Sequence, residues 1–135
     1  MPALNALAAA AFDAQTRFAD HVHFVHVYVI EPHPMRPDPS PYRGSVAEAQ
    51  YSVRRQPRSH AERVDCARAV RSEVRGAQLM LVDDLQPGRA NPLWCTYGTC
   101  PNCAFLVRRD GTLHTVQTWV NVAAMESAIR DLFRE

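Results

Sequence analysis

Apolar side chains at Leu4, Leu7, Ala11, Ala14 and Phe18 recur every three or four positions in an Ala-rich stretch, which predicts an amphipathic helix over residues 3–19 ending near Asp20. The pattern then changes period. Residues 22–30 (VHFVHVYVI) are β-branched and aromatic with apolar side chains on both alternating faces, as in a strand of a parallel sheet covered on both sides. Glu31 to Gly44 holds five prolines in fourteen residues, and polar character continues to about Arg58, so residues 31–58 read as a long irregular loop. Ser59 and Glu62 form a capping box, in which the hydroxyl accepts from the Glu62 N–H and the carboxylate reaches back to Ser59. Val64, Ala67, Val70 and Val74 would give the helix that follows its buried face.

Gln78 to Val82 predicts a second buried strand, stopped by Asp83-Asp84 and followed by a Pro/Gly-containing, partly helical connection. Ala104 to Val107 and Leu113 to Thr118 flank Arg108-Arg109-Asp110-Gly111, a turn with glycine where positive φ is needed, and predict a hairpin. Asn121 caps a last helix with Val122, Met125, Ile129 and Leu132 or Phe133 facing inward. No repeat or second domain is visible, so residues 1–135 read as one α/β domain, large enough to bury roughly two-thirds of its unfolded surface.

Composition narrows the classes. With 47% hydrophobic and 21% charged residues the chain has globular values, and no apolar run approaches the roughly 18 residues of a membrane span. A formal net charge of +1 gives no reason to propose nucleic acid or an anionic membrane as partner. All 15 basic residues are arginine, the mark of a GC-rich, bacterial coding genome. Ala6 to Phe12 lacks a preceding basic residue and is interrupted by Asp13, so no targeting signal is read and the expected compartment is a reducing cytoplasm.

Two constellations carry chemistry. In the first, Cys95, Cys100 and Cys103 lie within nine residues. Cys100-Pro-Asn-Cys103 suits exchange between dithiol and disulfide, yet a strand follows, so no helix dipole would activate Cys100. The same thiols with Cys66 or His114 would suit tetrahedral zinc, and buried inert cysteines are the third alternative. In the second, Tyr28-Val-Ile-Glu31-Pro-His33-Pro34 leaves the first strand with a carboxylate and an imidazole at its C-terminal end, where open parallel sheets bind ligands.

The run from Tyr28 to Pro34, then Glu62-Arg63-Val64 in a helix, Leu81-Val-Asp83, and Tyr97-Gly98 before a strand resembles the iodothyronine deiodinase family and its bacterial relatives across nearly the whole chain. The resemblance implies a thioredoxin-like three-layer sandwich, with a ββα C-terminal half. It also implies reductive removal of iodide, with Glu31 and His33 serving an upstream selenocysteine or cysteine. Pro101, one residue before a strand, resembles the cis-proline that faces the nucleophile in such folds.

The departures are specific. The second family histidine corresponds to Pro57, with His60 out of register, and the asparagine after the Asp83 position appears as Pro87. The first, central strand and its nucleophile are expected to be missing, because Met1 stands where the family's first helix begins. A selenocysteine codon read as a stop would produce that start. Deleting a central strand would strand buried backbone groups at roughly 1–3 kcal/mol each, so the halves are expected to pair directly or to accept a strand from a partner or second copy. The sequence therefore predicts a deiodinase-related thiol oxidoreductase, or a degenerate member of that family. Its residues would be Cys100, Cys103, Glu31 and His33, with Tyr28 and Pro101 on the substrate side. It would need no cofactor and would act on a thiol reductant or small-molecule substrate. The alternative is a zinc-binding or assembly module built on Cys95, Cys100, Cys103 and Cys66.

Overall fold

The computed structural model describes residues 2–41, 54–74, 79–98 and 102–134. They form a mixed α/β structure in the order α1 (Pro2–Phe18), β1 (His26–Tyr28), α2 (His60–Glu73), β2 (Met80–Val82), β3 (Leu85–Gln86), β4 (Arg89–Ala90), α3 (Pro92–Tyr97), β5 (Ala104–Val107), β6 (Leu113–Gln117) and α4 (Val122–Leu132). No helix among these residues is long and apolar enough to cross a membrane. The described strands make three separate two-stranded sheets, β1–β2, β3–β4 and β5–β6. The chain divides into two compact units, Met1–His23 with Cys100–Glu135, and Phe24–Thr99.

In the first unit α1 ends at Phe18, whose carbonyl accepts from the N–H groups of both His21 and Val22. Ala14 and Phe18 are buried, as the periodicity predicts, while the side chains of Leu4 and Leu7 lie outside those described. β5 and β6 pair antiparallel from Ala104↔Gln117 to Leu106↔Thr115, and the register shifts before Val107↔Leu113. That shift leaves one extra residue on β6, a bulge beside the turn. Gly111 has φ +87, the left-handed conformation that the sequence anticipates there. Asp110 closes the turn by accepting from both the N–H and the hydroxyl of Thr112. Asn121 caps α4 through its side-chain oxygen on the Ala124 N–H at 3.0 Å. α4 packs against α1, β5 and β6, and its Ile129 is buried. Leu132 is half-buried and Phe133 is the exposed member of the pair that the sequence left open. The Phe133 ring lies against Phe18 and His21, and the Arg130 guanidinium covers the Phe18 ring 5.2 Å from its centroid.

In the second unit β1 and β2 pair in parallel, with His26 opposite Met80, Val27 opposite Leu81 and Tyr28 opposite Val82. Only three residues of the expected 22–30 strand are paired. Val25, Val27, Leu79 and Leu81 alternate onto one face and are 40–50% exposed, so this face is not covered as the two-sided apolar pattern predicts. Helix α2 packs on β2 and β3.

The Ser59 hydroxyl accepts from the Glu62 N–H at 3.2 Å, as predicted. The Glu62 carboxylate, however, takes the Arg58 N–H at 2.7 Å instead of closing the box on Ser59. The buried face of α2 also departs from the aliphatic stripe. Ala67 is buried, Val64 and Val70 are half-buried and Val74 is exposed, while Arg63 is buried to 1% exposure.

Arg63 reaches the polar corner after β2. Its Nη1 donates to the carbonyls of Asp83 and Asp84, and its Nη2 to Asn91 Oδ1 at 2.7 Å. Asp83, also 1% exposed, accepts from the N–H groups of Asp84, Leu93 and Trp94, each at 3.0 Å. It thus caps α3 from nine residues before the helix, because Asn91 makes no capping bond with its own side chain. The connection holds a hairpin that the sequence reading missed. β3 and β4 pair across Pro87-Gly88, with Gly88 at φ +79, where proline presets the turn and glycine accepts the left-handed corner.

Candidate functional site

The strongest convergence of chemical groups lies just beyond the C-terminal end of β1. Tyr28 is the last residue of that strand, and its hydroxyl donates to the Glu31 carboxylate. The Glu31 backbone is held from the other side of the loop. Its N–H donates to Gln56 Oε1 at 2.9 Å and its carbonyl accepts from Gln56 Nε2 at 3.0 Å, a two-point clamp across 25 residues. Both ends of the proline-rich loop are stitched in the same way. The Asp38 carboxylate accepts from Arg55 Nε and Nη2 and from the Gln56 N–H, and the Met35 N–H donates to the Arg54 carbonyl at 2.7 Å. These bonds and the Arg55 and Arg58 charges hold the Asp38 carboxyl well below the usual carboxylate range.

Helix α2 closes the cluster. Cys66, a half-buried free thiol on this helix, and the buried Arg63 both act electrostatically on Tyr28. Burial, then the Glu31 hydrogen bond and charge, then Cys66, push the Tyr28 phenol far above its ordinary value, so this hydroxyl stays protonated. A shallow depression of about 340 Å³ has Arg54, Arg55, Gln56, Pro57 and Cys66 among its lining residues. A carboxylate hydrogen-bonded to a phenol can exchange a proton along that bond.

No protein-family model, curated protein or solved structure matches this chain.

Of the residues anticipated as chemical, Glu31 and Tyr28 are brought into direct contact. His33 is half-buried two residues further on, ahead of the fully buried Pro34. Cys103 is half-buried just before β5, in the other compact unit. Cys100 and Pro101 lie outside the described residues. Cys95 is an exposed thiol on α3 and Cys66 a half-buried thiol on α2. Among the described residues no group of three or more His, Cys, Asp or Glu side chains is placed to hold a metal ion.

The Gln56 clamp and the burial of Arg63 in the polar corner escaped the sequence reading. Gln56 carried no signal, being one polar residue in a polar loop. Arg63 had one, since it holds a position three residues before Cys66 and four before Ala67 on the inner face of α2.

Proposed function

We propose that this chain is a thioredoxin-like, deiodinase-related protein that works as a thiol oxidoreductase, or descends from one, in a bacterial cytoplasm. Cys100 and Cys103 form its dithiol. Glu31 and His33 serve the substrate, and Tyr28 and Pro101 are assigned to substrate binding by the same resemblance. The observation that carries this reading is the Glu31 carboxylate. It stands beyond the C-terminal end of a parallel strand pair, the edge at which open α/β sheets bind ligands, with its backbone clamped by Gln56 and its side chain engaged by Tyr28. The order β1–α2–β2 followed by an antiparallel hairpin and a helix agrees with the proposed fold.

In the reaction a Cys100 thiolate attacks a substrate disulfide, forming a mixed disulfide and releasing one substrate thiolate. Cys103 then attacks the Cys100 sulfur and releases the second. The protein is left oxidised, the substrate is reduced by two electrons, and a small thiol reductant restores the dithiol. Peptide mapping of the oxidised protein should find a Cys100–Cys103 bond, and Cys103→Ser should abolish reduction of a small aromatic disulfide. Undiminished turnover in that variant would remove the redox reading. Purification without chelators followed by metal analysis tests the zinc alternative, for which about one equivalent per chain is required.

One observation favours a non-catalytic assembly role instead. Val25, Val27, Leu79 and Leu81 form an exposed apolar row on a two-stranded sheet. A second copy of the chain packing its own row face to face against this one would cover both. Sedimentation over a range of concentrations should then find a dimer that Val27→Lys dissociates, and a monomer at all concentrations would dismiss it.

A further inference from the structure

An imidazole meets a fixed carboxylate where α2 begins. His60 is the first residue of that helix, and its Nδ1 stands 3.5 Å from Oδ1 of Asp84, which follows β2 by two residues. The nitrogen is buried without a hydrogen-bond partner, although 42% of the side chain is exposed. The exposed part of the ring is therefore the part away from Nδ1, which holds Nε2. Asp84 is pinned along its backbone. Its N–H donates to Asp83 Oδ1 at 3.0 Å, and its carbonyl accepts from Arg63 Nη1 at 3.1 Å and from the Asn91 N–H at 2.8 Å. Its Oδ1 also accepts from the Leu85 N–H at 2.8 Å, which fixes the carboxylate that faces the ring. A bare nitrogen lone pair so close to a carboxylate would be repelled, whereas a proton on that nitrogen is attracted. The contact assigns the hydrogen of the neutral ring to Nδ1 and leaves the lone pair on Nε2. A carboxylate that orients an imidazole in this way makes it a base, and such contacts tighten when substrate binds. The pair stands beyond the C-terminal end of β2, at the edge where open parallel sheets bind ligands.

We propose that His60 and Asp84 form a general-base dyad that hydrolyses small activated esters. Nε2 of His60 takes a proton from a water molecule as the water oxygen attacks the ester carbonyl, and a C–O bond forms. The tetrahedral adduct collapses, the C–O bond to the leaving group breaks, and the proton on Nε2 passes to the departing alkoxide. Ester and water thus become acid and alcohol, with no change of oxidation state. Between the two steps the ring carries a positive charge, which the Asp84 carboxylate offsets. Asp84 acts through His60 and is a positioning residue. Cys100, Cys103 and Glu31 take no part, so the outcome is separable from that of the disulfide exchange proposed above.

The exposed His23 supplies the internal control. Steady-state hydrolysis of p-nitrophenyl acetate by the full chain is followed at neutral pH. His60→Gln should lower kcat about a hundredfold, and His23→Gln should leave it unchanged. Asp84→Asn keeps an acceptor for the Leu85 N–H but removes the charge, and should lower kcat about tenfold with KM unchanged. Long-range nitrogen–proton spectra of the native chain should place the hydrogen of neutral His60 on Nδ1, a measurement that stands even where a variant does not fold. Hydrolysis by the native chain no faster than by His60→Gln would overturn the proposal. So would an unchanged kcat in folded Asp84→Asn, or a neutral His60 that carries its hydrogen on Nε2.

Discussion

Replacing Asp83 by alanine tests whether a single buried carboxylate organises the second compact unit. The side chain is 1% exposed and accepts from three backbone N–H groups, those of Asp84, Leu93 and Trp94. Hydrogen bonds to an ionised acceptor contribute roughly 1.5–3 kcal/mol each, and a buried N–H left without a partner costs about 1–3 kcal/mol. Three such bonds would sum to about 5–9 kcal/mol. They share one group, however, and water can enter to satisfy the freed N–H groups, so they do not add. The buried Arg63 guanidinium meanwhile loses a negative charge that favours its charged form. The expected loss is about 3–5 kcal/mol, a large part of the roughly 5–15 kcal/mol that holds an ordinary domain folded. Asp83→Asn keeps the shape but turns a donor toward one N–H, and should cost about 2–3 kcal/mol. With a urea slope of about 2 kcal/mol per molar, the alanine variant should unfold about 2 M earlier than the native chain. Asp65→Ala is the control, because its partner Arg68 and its own side chain are both more than 70% exposed, and it should move stability by less than about 0.5 kcal/mol. A loss below about 1 kcal/mol for Asp83→Ala would refute the reasoning, since it would mean that α3 and the β2 corner do not depend on this carboxylate.

Asn121→Ala removes the acceptor for the Ala124 N–H and should destabilise α4 by about 1 kcal/mol, read as an earlier thermal midpoint with lost helicity. Gln56→Ala unclamps both backbone groups of Glu31 and should cost about 1–2 kcal/mol while speeding amide exchange at Glu31. Unchanged exchange there would show that the clamp does not hold this residue. Tyr28 has a folded-state pKa raised above 10, so its contribution to stability is intact below pH 10 and is lost as pH rises above it. Stability measured from pH 8 to 11 should therefore fall less steeply in Tyr28→Phe than in the native chain; parallel curves would contradict the buried, protonated phenol.

The candidate site was half legible. Tyr28 and Glu31 stand three residues apart at the end of an apolar run, and that spacing was enough to expect ligand chemistry there. Their partners were not legible. Gln56 approaches Glu31 across 25 residues of proline-rich loop, and Arg63 reaches the corner after β2 from helix α2. No periodicity records such meetings. Arg63 reads locally as one more charged residue on a helix, and only the Asp83 and Asp84 carbonyls and Asn91 make its burial tolerable.

What the amino-acid sequence determined by itself was the set of features whose causes lie within a few residues. These are the helical periods, the Ser59 and Asn121 caps, the Gly111 turn and the hairpin of β5 and β6, each decided by neighbours close along the chain. Tertiary structure alone decided that the first strand pairs over only three residues, that one face of β1 and β2 stays open, and that a polar corner rather than a valine stripe anchors α2. Apolar alternation states which side chains would gain from burial. Whether they are buried depends on what packs against them, and that is set by contacts between segments far apart in the chain.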